Sequence, residues 1–475
     1  MAANLLLLAD IISSGVKSID TIYSDQGKVF PSLDQSYTLD SAEALRNDPR
    51  VQEACITIAA AAFQLIATVR QPQTSVFNAT CSYYLSATLR VACETNVVEV
   101  LRDAGSAGMH VNAIGQRLNL NPPLLGRILR YLATHHIFRE VSPDVFANNR
   151  LSSVIDKGKS VDDLLSTPLT KYDMTNGIAA LVGHCTDEDY KGAGFLLEHL
   201  TDPDSGFSSE PSKTPMLRAF GASESSNVWE WFESPGNEYR FKRFGVAMDG
   251  VNSMQPTDAI LKGFGWNTLP QDGTVVDVGA GLGVSSVALA KAFPSMKFVV
   301  QDRPKVVEEA AKYWEGKYPE AVRETRVTFA SQDFFDPQPV KNPSAFILKQ
   351  IVHDWADEYT ERILRRLREA VDDDHQCTLV VIDSLIPYAC RQEDNRQLIP
   401  GERPSSAPLP LLPNFGPADA SPYFTDLSMW VHFNSQERTL GHMERLLKRS
   451  GWKLTRIYPG ERSSAHLVQF ISVPL

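Results

Sequence analysis

The feature that most constrains this chain is a regular alternation of short apolar strands and helices beginning near Gly273. Val275–Val278, Lys297–Gln301, Val327–Ala330, Ala345–Lys349 and Thr378–Asp383 are short, rich in Val, Ile and Phe, and read as strands. Ser285–Phe293, Val306–Tyr313 and Asp357–Ala370 carry helical patterns between them. Strands that alternate with helices predict a doubly wound parallel sheet of the α/β class. In such sheets ligands bind beyond the carboxyl ends of the strands.

The first 175 residues read differently, as mostly helical. Asn121 is placed to cap a helix that starts with Pro122, where a missing N–H costs nothing. Leu124, Leu125, Ile128, Leu129 and Leu132 then share one apolar face. A shorter helix through Val111, Ile114 and Leu118 precedes it. Two strands around Ser142-Pro143-Asp144 follow. Helix, helix and hairpin is a winged-helix pattern, which can bind DNA. Charge argues otherwise: residues 81–150 hold seven arginines against five acids, and the whole chain has a formal net charge of -11. Neither balance suits phosphate neutralisation, so no nucleic acid is expected and packing or dimerisation is.

Six scattered cysteines without a C-x-x-C pair fit a reducing compartment rather than a disulfide scaffold or zinc site. The start lacks a basic signal-peptide region, and the longest apolar stretch, Ala54–Val69, falls short of a bilayer span. The expectation is a cytoplasmic protein with no membrane partner.

The strand Val275–Val278 runs straight into Gly279-Ala280-Gly281-Leu282-Gly283. Glycines here permit a sharp turn and close approach of a ligand to the backbone. The next strand ends in Asp302, a carboxylate able to accept two ribose hydroxyls. The third ends at Asp333-Phe334-Phe335, offering a carboxylate for an adenine amine and an aromatic wall. Three consecutive strand ends with suitable groups point to an adenosine ligand. Position 284 is Val where a dinucleotide fingerprint has its third glycine, so phosphate recognition is not indicated.

The run Val275 to Gly283 resembles the first motif of class I S-adenosylmethionine-dependent methyltransferases. Lys349-Gln350-Ile351-Val352-His353-Asp354-Trp355 resembles the K-x-x-x-H-D-W signature of the plant-type O-methyltransferases, the caffeic acid and hydroxyindole family. Val381–Pro387 and Glu437-Arg438-Thr439 match two later motifs in the family's order. The resemblance implies a Rossmann-like catalytic domain over 176–475, interrupted by a Pro-rich insertion at 391–422. It also implies a helical, winged-helix-containing dimerisation domain over 1–175, hence a homodimer. It implies that S-adenosyl-L-methionine is held by Gly279, Gly281, Asp302, Asp333, Phe334 and Lys349. His353 matches the general base, Asp383 and Glu437 its acidic partners, and Phe244, Met248, Trp355 and Met429 the lining for a small phenolic acceptor.

Methyl transfer to oxygen needs a nucleophilic acceptor. A phenol has a pKa of about 10, so ionising it at pH 7 costs roughly 4 kcal/mol. A histidine of ordinary pKa, largely neutral, can take that proton, and a carboxylate on its other nitrogen would stabilise the imidazolium. No metal is required. Asp372-Asp373-Asp374-His375 resembles a metal cluster but reads as a solvated turn after a helix. Trp355 has a second reading as packing for the helix that follows. The insertion 391–422 holds seven prolines and lies between Asp383 and Glu437, so a lid is expected there. Two other functions fit the same fold: a lyase or pericyclic catalyst that uses the bound sulfonium without transferring methyl, and a winged-helix regulator.

Overall fold

A computed structural model of the chain describes residues 2–222, 224–253, 258–392, 397–460 and 467–475. Contacts group it into two compact units. One comprises Met1–Phe195, Trp229–Ser253 and Ala407–Asp419; the other comprises Leu196–Val228, Met254–Ser406 and Ala420–Leu475.

In the first unit the Ala2–Asp25 and Pro49–Val69 helices pack together through Ile19, Ile22, Tyr23, Val51 and Ala54. Asp48 caps the second of these, accepting from the Arg50 N–H, and Pro49 fills its first turn. At 21 residues this helix is longer than the apolar stretch read from sequence, and by length and composition it could cross a membrane. It buries Ala60 and Ala61, however, against Ala407, Leu411 and Phe415.

The winged helix is present. Strands β1 (Met109–His110), β2 (Arg139–Ser142) and β3 (Val145–Ala147) form an antiparallel sheet in the order β1-β3-β2. Asn121 Oδ1 accepts from the Leu124 N–H at 3.1 Å, capping the Pro122–Thr134 helix as expected. Leu125, Leu129 and Leu132 are buried, but Leu124 is 54% exposed. It lies in the first turn, about 100° around the helix axis from Leu125, outside the stripe that meets the core.

A buried charge network closes this unit. Arg243 donates to Glu94 at 3.2 Å, Asp187 at 2.9 Å and Glu188 at 2.6 Å, with its side chain 1% exposed. Such a cation is tolerable only because the carboxylates replace its lost hydration.

The second unit is built on a seven-stranded sheet, order β6-β5-β4-β7-β8-β10-β9. Its strands are β4 (Thr274–Val278), β5 (Lys297–Asp302), β6 (Val327–Ser331), β7 (Ala345–Lys349), β8 (Thr378–Ser384), β9 (Trp452–Pro459) and β10 (Leu467–Pro474). The five expected strands pair in parallel. The sheet is mixed, not wholly parallel: β10 runs antiparallel to β8, and β9 antiparallel to β10. Val276, Phe346, Leu348, Leu379, Val381 and Phe470 are buried in the core on one side of it.

The Pro-rich segment, expected to be a lid, makes contacts at several points; its residues 393–396 lie outside the described residues. The Ile457 N–H donates to Pro400 O at 2.9 Å, seating the segment on edge strand β9. Covering an edge in this way blocks its unpaired backbone groups. Ala407, Leu411 and Phe415, which belong to the first unit, pack in its core with Leu8, Ala60 and Ala61. Leu411→Ala is expected to cost about 2–5 kcal/mol of stability and to speed amide hydrogen exchange across 407–419. Unchanged exchange there would show that these apolar anchors do not hold the segment.

Candidate active site

Strand order reverses direction between β4 and β7, and the two candidate motifs leave from those two strands. In open α/β sheets the crevice at such a switch point is where ligands bind. After β4, Gly279 and Gly281 adopt φ values of +67° and +56°, the left-handed region that side chains rarely occupy. A Cβ at Gly279 would lie 2.5 Å from Ile351 Cδ1. At Gly281 it would meet nothing within 4 Å, so the loop presents bare backbone to an open cradle.

Asp302 ends β5 opposite Ser331 of β6. Its Oδ2 accepts from the Gly281 N–H at 2.8 Å and its Oδ1 from the Arg303 N–H at 2.7 Å. The carboxylate is thereby fixed at the rim of the glycine loop. Asp333 is exposed and accepts from the Phe335 N–H at 2.9 Å. Lys349, at the end of β7, has its pKa lowered by burial, against the pull of Asp277 and Asp383. An open glycine cradle, a rim carboxylate and an aromatic ring make a donor and acceptor set that fits an adenosine-type cofactor.

The segment after β7 turns abruptly. Gln350 sits at φ +53°, and Val352–Asp354 form a single 3₁₀ turn with His353 at its centre. His353 is 8% exposed. Its Nδ1 meets Glu437 Oε1 at 2.8 Å and lies 3.8 Å from Asp383 Oδ1, while Nε2 is 3.5 Å from Asp354 Oδ1. The sequence motifs at 353, 383 and 437 therefore converge in space. Asp354 joins them and was not singled out by sequence reasoning, although it stands within the His-Asp-Trp motif.

The electrostatics of the ring are set by its neighbours. Burial disfavours the charged imidazole, but Glu437, Asp354 and Asp383 outweigh it and push the His353 pKa up to about 10. The acids therefore favour a proton on the ring against the cost of burial. Burial in turn pushes Asp383 up to about 8 and Asp354 up to about 6. Among the described residues neither oxygen of Asp383 has a hydrogen-bond partner; Oδ1 lies nearest His353 Nδ1, at 3.8 Å.

The remaining predicted residues fall in two places. Trp355 stacks edge-on to Phe334 at 5.7 Å and Phe335 at 4.8 Å, and also meets Tyr359 of the following helix at 5.8 Å. Met429 is half-buried on the Ser421–Phe433 helix of the same unit. Phe244 and Met248 belong to the other unit. There Phe244 packs with Phe232 at 5.1 Å and His184 at 5.2 Å, and Met248 lies against the winged-helix core. Asp372 and its neighbours are exposed in a turn, with Asp373 paired to Arg368 at 2.7 Å.

Comparison with known proteins matches residues 199–453 to an O-methyltransferase domain and residues 77–156 to an O-methyltransferase dimerisation domain. An O-methyltransferase of Armillaria gallica is 41% identical, the match covering 96% of each chain. A 4-O-methyltransferase of Phanerochaete chrysosporium is 37% identical, with 99% of each chain covered. Among solved structures, the mitomycin 7-O-methyltransferase MmcR superposes with a TM-score of 0.60 at 22% identity, covering 85% of this chain and 98% of that one. The glycine cradle, the convergent strand ends and full-length relatives at this identity lead to one conclusion: the chain belongs to the O-methyltransferase family and is an S-adenosyl-L-methionine-dependent O-methyltransferase.

Proposed function

We propose that the acceptor is the hydroxyl of a small phenol and that His353 is the general base, without a metal ion. The observation that carries this reading is the 2.8 Å contact between His353 Nδ1 and Glu437 within a buried set of three carboxylates. That arrangement orients the ring and leaves Nε2 for an acceptor. Gly279, Gly281, Asp302, Asp333, Phe334 and Lys349 would hold the cofactor, which when bound supplies an electrophilic methyl on a sulfonium. Trp355 and Met429 are assigned to acceptor binding, and the family resemblance assigns Phe244 and Met248 the same role, each within its own unit.

The reactive state pairs a phenolate with an imidazolium. His353 reaches it by taking the phenol proton. The imidazolium then stabilises the phenolate, and the carboxylates stabilise the imidazolium. The protein's remaining contribution is to hold two substrates in line.

Supporting features extend to partners. Phe77, Tyr83 and Tyr84, within the matched dimerisation domain, are exposed, which favours a homodimer. The winged-helix arginines are already engaged, Arg130 by Glu140 and Asp144 and Arg117 by Asp162, which argues against nucleic-acid binding. Packing of Ala60 and Ala61 on the Pro-rich segment argues against a membrane span. The six free cysteines favour a reducing cytoplasm.

The first test is mass spectrometry with methyl-deuterated S-adenosylmethionine and a panel of phenols. A product carrying one labelled methyl, lost in His353→Ala, is expected. Bound cofactor with rearranged but unlabelled product would instead favour the pericyclic reading. A second test is the pH profile. The reactive state has one proton fewer than imidazolium plus phenol, so kcat/KM should rise with pH along a limb with apparent pKa above 6.5, histidine's ordinary value. In Glu437→Gln the imidazole loses its nearest negative charge while staying buried. Its pKa, followed by NMR of labelled histidine, should fall, and an unmoved titration would rule out Glu437 as its main stabiliser. Finally, Asp302→Asn should weaken S-adenosylhomocysteine binding about 10- to 100-fold, the loss of a charge-assisted contact. Calorimetry showing an unchanged Kd would remove Asp302 from the cofactor site.

A further inference from the structure

The dipeptide Glu437-Arg438 grips the His353 segment at two levels. Glu437 meets the ring; Arg438, 2% exposed, meets the backbone that carries it. Arg438 Nη1 donates to Val352 O at 2.7 Å and Nη2 donates to Trp355 O at 2.7 Å. These carbonyls lie on either side of His353. Its Nε donates to Asp357 Oδ1 at 3.1 Å. Asp357 is in turn contacted by His442 at 2.7 Å and Arg449 at 3.3 Å, and although burial opposes it, His442 and Arg438 drive its pKa well below the usual range. Thr360, fully buried, donates to Trp355 O at 2.9 Å and lies 3.3 Å from Val352 O, touching the same pair of carbonyls.

The turn needs outside support. Its own bonds are the Asp354 N–H to Ile351 O at 3.1 Å and the Trp355 N–H to Val352 O at 3.4 Å, and it follows a left-handed non-glycine residue. A single 3₁₀ turn has poor hydrogen-bond geometry and does not by itself fix a side chain to fractions of an ångström. A guanidinium does, because its planar fork holds two acceptors at a set spacing, which an ammonium cannot. The dipeptide is itself tied down. Arg438 bridges Leu385 in the β-ladder sense, and its carbonyl accepts from the Ile386 N–H at 3.2 Å, just past the strand end that carries Asp383.

We propose that Arg438 is a positioning residue for the base: it sets the height and angle of the His353 turn so that Glu437, Asp383 and the acceptor meet the ring together. This rests on the reading of His353 as the base. The motif Glu437-Arg438-Thr439 thus contributes its first residue to the imidazole and its second to the main chain beneath it.

The test uses full-length Arg438→Lys and Thr360→Val, each alone and combined with His353→Gln, with a phenol the parent enzyme methylates. Arg438→Lys should lower kcat about 10- to 100-fold, the cost of misplacing a reacting group by about an ångström. Its KM and its Kd for S-adenosylhomocysteine should stay within about twofold, marking a loss confined to the reacting complex. Thr360→Val, nearly isosteric, should move kcat the same way by less, and it carries the test if the lysine variant does not fold. In single turnovers of the His353→Gln background, neither change should lower the residual rate further. Parental kcat in folded Arg438→Lys, or a loss of equal size in the His353→Gln background, would overturn the proposal. A parental rate in His353→Gln alone would instead overturn the base itself.

Discussion

A buried imidazole needs a charge partner, and the catalytic unit is arranged around supplying one. Glu437 reaches His353 from 84 positions along the chain. Bringing it there requires the chain to leave β8, run through the Pro-rich segment, return as the Ser421–Phe433 helix and pass His353 again at 437–438. Burial disfavours a proton on the ring, and the Glu437 carboxylate offsets that cost. The acids pay a matching penalty, visible in the raised pKa values of Asp383 and Asp354. Histidine and acids therefore form one proton-sharing group, whose properties belong to the cluster and not to any single residue.

The sheet explains why the glycine loop and the His353 turn are neighbours. Strands β4 and β7 are neighbours that feed connections in opposite directions, so the glycine loop and the His353 turn leave the same edge side by side. The parallel register aligns Asp302 with Ser331 and Lys349 with Ile382, bringing the carboxyl ends to one level. The Phe334, Phe335 and Trp355 rings pack on one another edge-on, joining the end of the β6 segment to the His353 turn. Trp355 thus satisfies both sequence readings in part, since it also packs on Tyr359 of the following helix.

Much of this was legible before any coordinates. Alternating apolar runs located all five parallel strands to within a residue or so, because a strand buried on both faces has little compositional choice. The cap at Asn121 was readable because it depends on local backbone geometry. Strands β9 and β10 were not, since β-pairing at the end of a chain leaves no spacing rule to follow. Leu124 was misread because an apolar residue in a helix's first turn carries no mark of which way that turn faces.

The sequence by itself determined the chemistry available: a glycine cradle, strand-end carboxylates, and a histidine between acids in a recognisable order. Those follow from local propensity and residue type. Only the tertiary structure decided which groups touch. It placed Glu437 rather than Asp383 in bonding contact with the ring, set Asp354 near the other nitrogen, and turned Arg438 onto the carbonyls beside His353. It also packed Ala407, Leu411 and Phe415 of the Pro-rich segment against Ala60 and Ala61. The physical reason is common to all of these: hydrogen bonds and charge interactions act over a few ångströms, and spacing along a chain does not specify distance in space until the core has packed.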